Sequence, residues 1–261
     1  MVASLGDSLG AWVAALSSPE KLIDTELVAL GGGGLVLFVS EVVGPANSNE
    51  GQYSVRCLYS GDGGVTWQLR STPVAGPRGV NIEDPRAVLL KDGLMVLAYE
   101  WEEHEGRPSE IRYLRSPDGG GSWGSGGRLL PEVVGDLEPG GFAEVGDELW
   151  FVASSDHEAP GGSYAGAKIV LIRSADLGRS WSRPEVVVSE PGQVSMGAIV
   201  LPSTVLMPSL REYTSLRRRS LAIYRVDSIG RWRVPCVEGA VFGDGFEQST
   251  LRWSQAFPNS P

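Results

Sequence analysis

The sequence predicts an all-β fold, a β-propeller built from four-stranded antiparallel blades. Three observations predict it. One turn motif recurs at near-equal spacing along 261 residues. The stretches between its copies read as short strands. Gly 35 and Pro 17 are high for a helical protein and suit many strands joined by tight turns.

The motif is Ser-x-Asp-x-Gly-x-x-Trp. It occurs as Ser60, Asp62, Gly64, Trp67; as Ser116, Asp118, Gly120, Trp123; and as Ser174, Asp176, Gly178, Trp181. A fourth copy keeps Asp227 and Trp232 but has lost the Ser, and its Gly230 comes one place late. The aspartates at 62, 118, 176 and 227 are 56, 58 and 51 residues apart. The four fixed positions coincide by chance at about one site in 10⁵. A period of this length marks a propeller blade or a similar array unit. The Asp carboxylate accepts backbone N–H groups of its own turn, the Gly permits positive φ, and the Trp anchors the hairpin. These residues are predicted to be structural.

The strands follow from the repeat. In the second repeat, 86–90 is a first strand, Lys91-Asp92-Gly93 a tight turn, 94–100 a second strand and 110–116 a third, with a polar loop from Trp101 to Ser109. A fourth strand follows Trp123. The first repeat matches with 26–30, a glycine turn at 31–34, and 35–42. The third matches with a turn at Gly146-Asp147 and a strand at 148–154, the fourth with 197–201 and 204–210. The blades are expected at about 25–75, 80–135, 140–190 and 194–240. A partial fifth over 241–261, with a strand at 246–253, would be closed by an N-terminal strand, Trp12 to Leu16. The last blade is then abbreviated, the ring open, or the chain a shortened version of a larger, six-bladed propeller.

In such a meander alternate connections lie at opposite ends. The motif turns share one end with the tight turns between first and second strands. The long loops 43–52, 101–109, 155–167 and 211–219 lie at the other, where function is expected.

Bulk properties narrow the partners. A net charge of -10 excludes a nucleic-acid surface. Arg217, Arg218 and Arg219, beside Arg211, form the one basic cluster, read as a solvated loop tip or an anion pocket. Cys57 and Cys236 match no metal spacing, and no metal or cofactor is expected. No run is long enough for a membrane span, and no signal peptide is seen. A cytoplasmic protein is expected, or a secreted one if a leader is missing. An open ring would expose strand edges that a second copy could cover.

The motif resembles the Asp box, or BNR repeat, of the sialidase (neuraminidase) superfamily, and the resemblance spans about 25–240. It implies boxes between third and fourth strands, at the end away from the active site. Sialidases clamp a substrate carboxylate with three arginines and use a Tyr paired with Glu as nucleophile and an Asp as acid/base. Arg211, ending a second strand and followed by Glu212 and Tyr213, resembles a clamp arginine. No arginine precedes Arg56, so the first clamp motif is absent, and the chain ends before the third arginine and the nucleophilic Tyr. Glu83-Asp84-Pro85-Arg86 resembles a motif of five-bladed mannoside phosphorylases and related glycosidases.

The resemblance thus implies a sialidase-like glycoside hydrolase acting on a glycan at the channel mouth. Asp84 or Asp156 would be the acid, with Glu212 and Tyr213 as further catalytic candidates. Glu83, Arg86, Arg211, Trp101 and Tyr164 would bind substrate, and Glu100, Glu103, His104 and His157 share their loops. The alternatives are a non-catalytic propeller that binds a glycan or a protein, and a degenerate copy without activity.

Overall fold

The computed structural model describes residues 20–46, 48–103, 108–131, 137–155 and 168–188, and beyond these the strand backbone of a fourth sheet between 193 and 242. Blade 1 is the meander β1 (Lys21–Gly31), β2 (Gly34–Val43), β3 (Gln52–Ser60) and β4 (Gln68–Arg78). Blade 2 comprises β5 (Val80–Leu89), β6 (Met95–Glu103), β7 (Glu110–Ser116) and β8 (Gly124–Leu129). Blade 3 comprises β9 (Leu137–Val145), β10 (Glu148–Ser155), β11 (Lys168–Ser174) and β12 (Glu185–Val188). In blade 4 the first strand is split into β13 (Gln193–Ser195) and β14 (Ile199–Leu201). It is followed by β15 (Thr204–Tyr213), β16 (Arg218–Asp227), and the short β17 (Trp232–Arg233) and β18 (Val241–Phe242). The first strands β1, β5 and β9 pack against one another in turn, so they are the inner strands. Among the described residues no ladder joins the last sheet to the first. The expected strand at 246–253 and the expected closing strand at Trp12–Leu16 lie outside the described residues.

The hydrophobic core lies between blades rather than within them. One cluster joins blades 1 and 2 through Val36, Phe38, Val55, Cys57, Ile82, Met95 and Leu97. Another joins blades 2 and 3 through Val96, Ala98, Ile111, Leu149, Phe151 and Ile172. Blade 2 is apolar on both faces because it is packed on two sides. Fully burying one such side chain is worth about 1.5–3 kcal/mol.

The three boxes share one geometry. Ser60 Oγ–H donates to Asp62 Oδ1 at 2.8 Å and accepts from Gly64 N–H at 2.8 Å. Thr66 donates to the same aspartate from its hydroxyl (2.6 Å) and its backbone N–H (2.8 Å). Ser122 and Ser180 do the same for Asp118 and Asp176. These donors hold the carboxyls of Asp62 and Asp118 down at about 2 and that of Asp176 lower still. Gly64, Gly120 and Gly178 take positive φ, +92°, +91° and +77°. Each box lies at the inner hairpin-turn end, where Gly63 N–H donates to Gly33 O at 3.0 Å.

The second box also latches onto the blade before it. Arg70 donates to Asp118 O at 2.6 Å, Ser71 Oγ–H to Gly120 O at 2.6 Å, and the Trp123 indole stands edge-on to Phe38, 5.8 Å between centroids. Trp181 is likewise edge-on to Tyr113 of blade 2, at 6.1 Å.

Two expectations change. The polar loop from Trp101 starts later, because β6 continues through Glu103 against Val80, Asn81 and Ile82. The first strand of blade 2, expected from residue 86, starts earlier, and Pro85 falls inside it. In the structure a bulge between Glu83 and Arg86 absorbs it, and β5 continues above.

Gly126 has no room for a side chain: a Cβ there would lie 1.8 Å from Tyr113 O. Gly126→Ala is expected to break the β7–β8 ladder and to cost about 2 kcal/mol or more in urea unfolding.

Candidate functional site

The end opposite the boxes is where β1, β5 and β9 begin and β6 finishes. The chemistry there starts from backbone irregularity. Asp24 stands in a bulge between Ile23 and Thr25 with φ +38°. Asp84 stands in the β5 bulge with φ +49°. β9 bulges at Gly140, between Pro139 and Gly141. Aspartate tolerates the left-handed region better than most residues, yet such positions still store strain and recur at functional sites.

Above the β5 bulge, Glu83 lies directly opposite Glu100, and Asn81 opposite Glu102. Directly opposed residues share a face of the sheet, so these four form one polar patch, while Ile82 on the other face is fully buried in the core. Asn81 donates its amide to Glu102 Oε2 at 2.9 Å, and its Oδ1 is buried without a donor. Arg86 reaches back over the bulge to Asp84 Oδ1, 3.1 Å away, and to Pro85 O at 3.0 Å.

The electrostatics follow from this crowding. Burial first, then the charges of Asp24, Asp84 and Glu102, push the Glu83 carboxyl up to about 7, against a hydrogen bond from the Tyr53 hydroxyl. Burial and four surrounding carboxylates, Asp84 and Glu138 foremost, push Glu100 well above the usual range. Asp84 is raised by burial, but the Arg86 guanidinium opposes this and favours its charged form. Burial thus raises all three carboxyls, and of the three Asp84 is the one with a guanidinium set against it.

The structure therefore brings together Glu83, Asp84 and Arg86, whereas Trp101 pairs with Ile82 on the opposite face of the sheet and packs against the core between blades 1 and 2. Trp101 is not free on both faces: the Arg112 guanidinium lies 3.7 Å from its ring centroid. Arg112 is held by Glu110, 3.3 Å away, which also takes Arg128 at 3.1 Å. Asp156, His157, Tyr164 and His104 lie outside the described residues. Arg211, Glu212 and Tyr213 end β15, in register with Ser220, Arg219 and Arg218 of β16. They are at the same end as the carboxylates but on the second strand of their blade, not on an inner strand.

Asp24, Tyr53, Asn81, Glu102 and Glu138 were not singled out by sequence. One signal was present for Glu138: Glu138-Pro139 repeats, at the head of β9, the acid-proline step of Asp84-Pro85. Nothing in the sequence distinguishes Tyr53 from a core aromatic, and it is fully buried.

A family model of the BNR repeat-like domain matches residues 18–237. The chain belongs to the BNR repeat-like domain family. No protein of curated function matches it by sequence. Solved structures that resemble this BNR repeat-like chain include a sialidase, an arabinanase and a glycoside hydrolase. One is the Hadza microbial sialidase Hz136, with 16% identity and a TM-score of 0.62, covering 82% of this chain and 46% of that one. A second is the Penicillium chrysogenum alpha-L-arabinanase complexed with arabinobiose, with 16% identity, a TM-score of 0.61 and coverage of 82% and 66%. A third is Zg3597, a family 117 glycoside hydrolase of Zobellia galactanivorans, with 14% identity, a TM-score of 0.61 and coverage of 85% and 70%. At these identities the likeness is one of fold. The chain spans under half of the sialidase's length and about two thirds of the arabinanase's.

Proposed function

We propose that this chain is a sialidase-like glycoside hydrolase whose chemistry lies at the upper, box-free end of blades 1 to 3. The observation that carries the reading is the pair Glu83 and Asp84. They are adjacent in sequence, held at a strained bulge, and set in unlike surroundings. Glu83 is the proton donor to the glycosidic oxygen. Asp84, its charge favoured by Arg86, is the ionised partner that faces the developing positive charge of the sugar ring or activates water. Asp24 offers a second carboxyl group from the neighbouring inner strand. Arg211, Glu212 and Tyr213 of blade 4, and Asp156 and Tyr164 of blade 3, are the candidates for the far wall of the sugar site. The sialidase resemblance and the glycosidase neighbours support the class of reaction.

The test is a panel of aryl glycosides of common pentoses and hexoses in both anomers, sialosides included. Turnover of at least one, lost in Asp84→Asn, is expected. A folded protein that turns over none sinks the reading.

A further inference from the structure

We propose that Tyr53 is a positioning residue, delivered by blade 1 across the interblade core, whose hydroxyl aims the Glu83 acid of blade 2 at a substrate. The inference rests on the reading of Glu83 as proton donor and concerns what holds that donor in place.

Tyr53 lies in β3, the third strand of blade 1, and is fully buried. It belongs to the core between blades 1 and 2, together with Val80 and Ile82 at the head of β5. The joint between the blades is tight here. Gln52 pairs with Val80 in a parallel step, and Gly79 N–H donates to Gly51 O at 3.0 Å. Gln52 Nε2 donates to Gly76 O at 3.2 Å. A Cβ on Gly76 would lie 2.6 Å from Ile82 Cδ1, and one on Gly51 would lie 3.2 Å from Tyr53 Cε2 and 2.5 Å from Pro45 O. Packing this close leaves the Tyr53 ring little freedom. From that fixed place its hydroxyl donates to the Glu83 carboxyl.

The chemistry of a carboxylic acid gives this contact a direction. A protonated carboxyl has one O–H and one acceptor oxygen. With Tyr53 O–H on the acceptor oxygen, the proton of Glu83 stands on the other, which is the one left to face a sugar. In the transfer the glycosidic oxygen takes that proton, Glu83 becomes a carboxylate, and Tyr53 keeps its own proton throughout. The new charge then sits in a partly buried place. Among the described residues, the charged and titratable groups around it are Asp24 of β1, Asp84 and Arg86 of its own strand, and Glu100 and Glu102 of β6. The Tyr53 hydroxyl is a donor set against that crowding, since a hydrogen bond to the charged form favours it.

The experiment starts with Tyr53→Phe, which keeps the ring and removes the hydroxyl. On the best substrate of the aryl glycoside panel, kcat is expected to fall about tenfold with KM unchanged. Without the donor the protonated form of Glu83 is favoured, so the alkaline limb should move up by about half to one pH unit, the scale of one hydrogen bond. Val55→Ala, a truncation in the same core, should leave the limb where it is. Two readouts need no turnover. Infrared titration of the Glu83 carboxyl, assigned with Glu83→Gln, should give about 7 in the parent and more in Tyr53→Phe. In the parent, the ring carbon that bears the Tyr53 hydroxyl should shift in carbon NMR as Glu83 titrates, and should stay flat in Glu83→Gln. This last measurement decides the matter even where Tyr53→Phe does not fold. A limb and a carboxyl that stay put in folded Tyr53→Phe overturn the inference and leave the hydrolase reading intact. So does an equal movement in Val55→Ala, or a Tyr53 resonance indifferent to Glu83. A carboxyl that moves in a protein turning over no glycoside upholds Tyr53 as the holder of Glu83 and sinks the hydrolase reading.

Discussion

Glu83→Gln is expected to lower kcat by about 10²- to 10⁴-fold and to remove the alkaline limb of the pH–rate profile. The donor must be protonated to act. With its carboxyl pushed up to about 7, mainly by burial and then by Asp24, Asp84 and Glu102, activity should fall as pH rises through neutrality. An amide cannot donate the proton, so the variant keeps only a residual, pH-flat rate over that range. The same substitution has a stability signature of opposite sense. The folded state holds a proton that the unfolded chain releases near its ordinary value of 4.5. Ionisation therefore weakens the native state progressively between about pH 4.5 and 7, and the deficit persists above. Glutamine carries no charge to desolvate. The variant should match the parent at pH 4 and exceed it at pH 8 by about 1 kcal/mol, allowing for partial exposure, or about 2–4 °C in Tm. A variant that is equally active at pH 8, or less stable there, removes Glu83 from the donor role.

Trp123→Ala carries the largest expected effect on folding. The indole joins two blades: it stands edge-on to Phe38, and its Nε1–H donates to Ser71 Oγ at 3.1 Å and to Gly120 O at 3.2 Å. Truncation opens a cavity in the core between blades 1 and 2 and frees Ser71. A loss of about 3–5 kcal/mol is expected, against a total stability of about 5–15 kcal/mol. Trp67 is the internal control. Its indole donates to Gly64 O at 2.9 Å, but it belongs to neither interblade core. Trp67→Ala should cost about 1 kcal/mol, the scale of a hydrogen bond and some packing. Urea midpoints of the two variants decide it: equal losses would mean that the boxes act only within their own hairpins.

The fold was legible because its signal is both local and repeated. The Ser, Asp, Gly and Trp of each box act within eight residues, so their spacing survives in the sequence as a pattern. The site was legible only in part. Glu83-Asp84-Pro85-Arg86 stood out as a charged string at the start of an apolar strand. Its partners did not, for two physical reasons. Asp24, Glu102 and Glu138 come from other strands, and only the register of β1, β5, β6 and β9 brings them near. The polar run from Trp101 concealed the end of β6, so Trp101 and Glu102 read as loop although they are paired strand residues. Tyr53 was hidden because a tyrosine that hydrogen-bonds an acid looks, in sequence, like one that only fills space.

The bulges of β1, β5 and β9 have a consequence for how such a chain can diverge. The inner strands of blades 1 to 3 each break register near the upper end, and the position released is Asp24 in β1, Asp84-Pro85 in β5 and Gly140 in β9. A repeated scaffold has thus kept one interchangeable socket per blade, already freed from the ladder's hydrogen bonds. Swapping the residue in a socket alters the chemistry at the axis without disturbing a strand pair or an interblade core. Reactivity could then migrate from blade to blade by single replacements, with the latches at the far end left as they are.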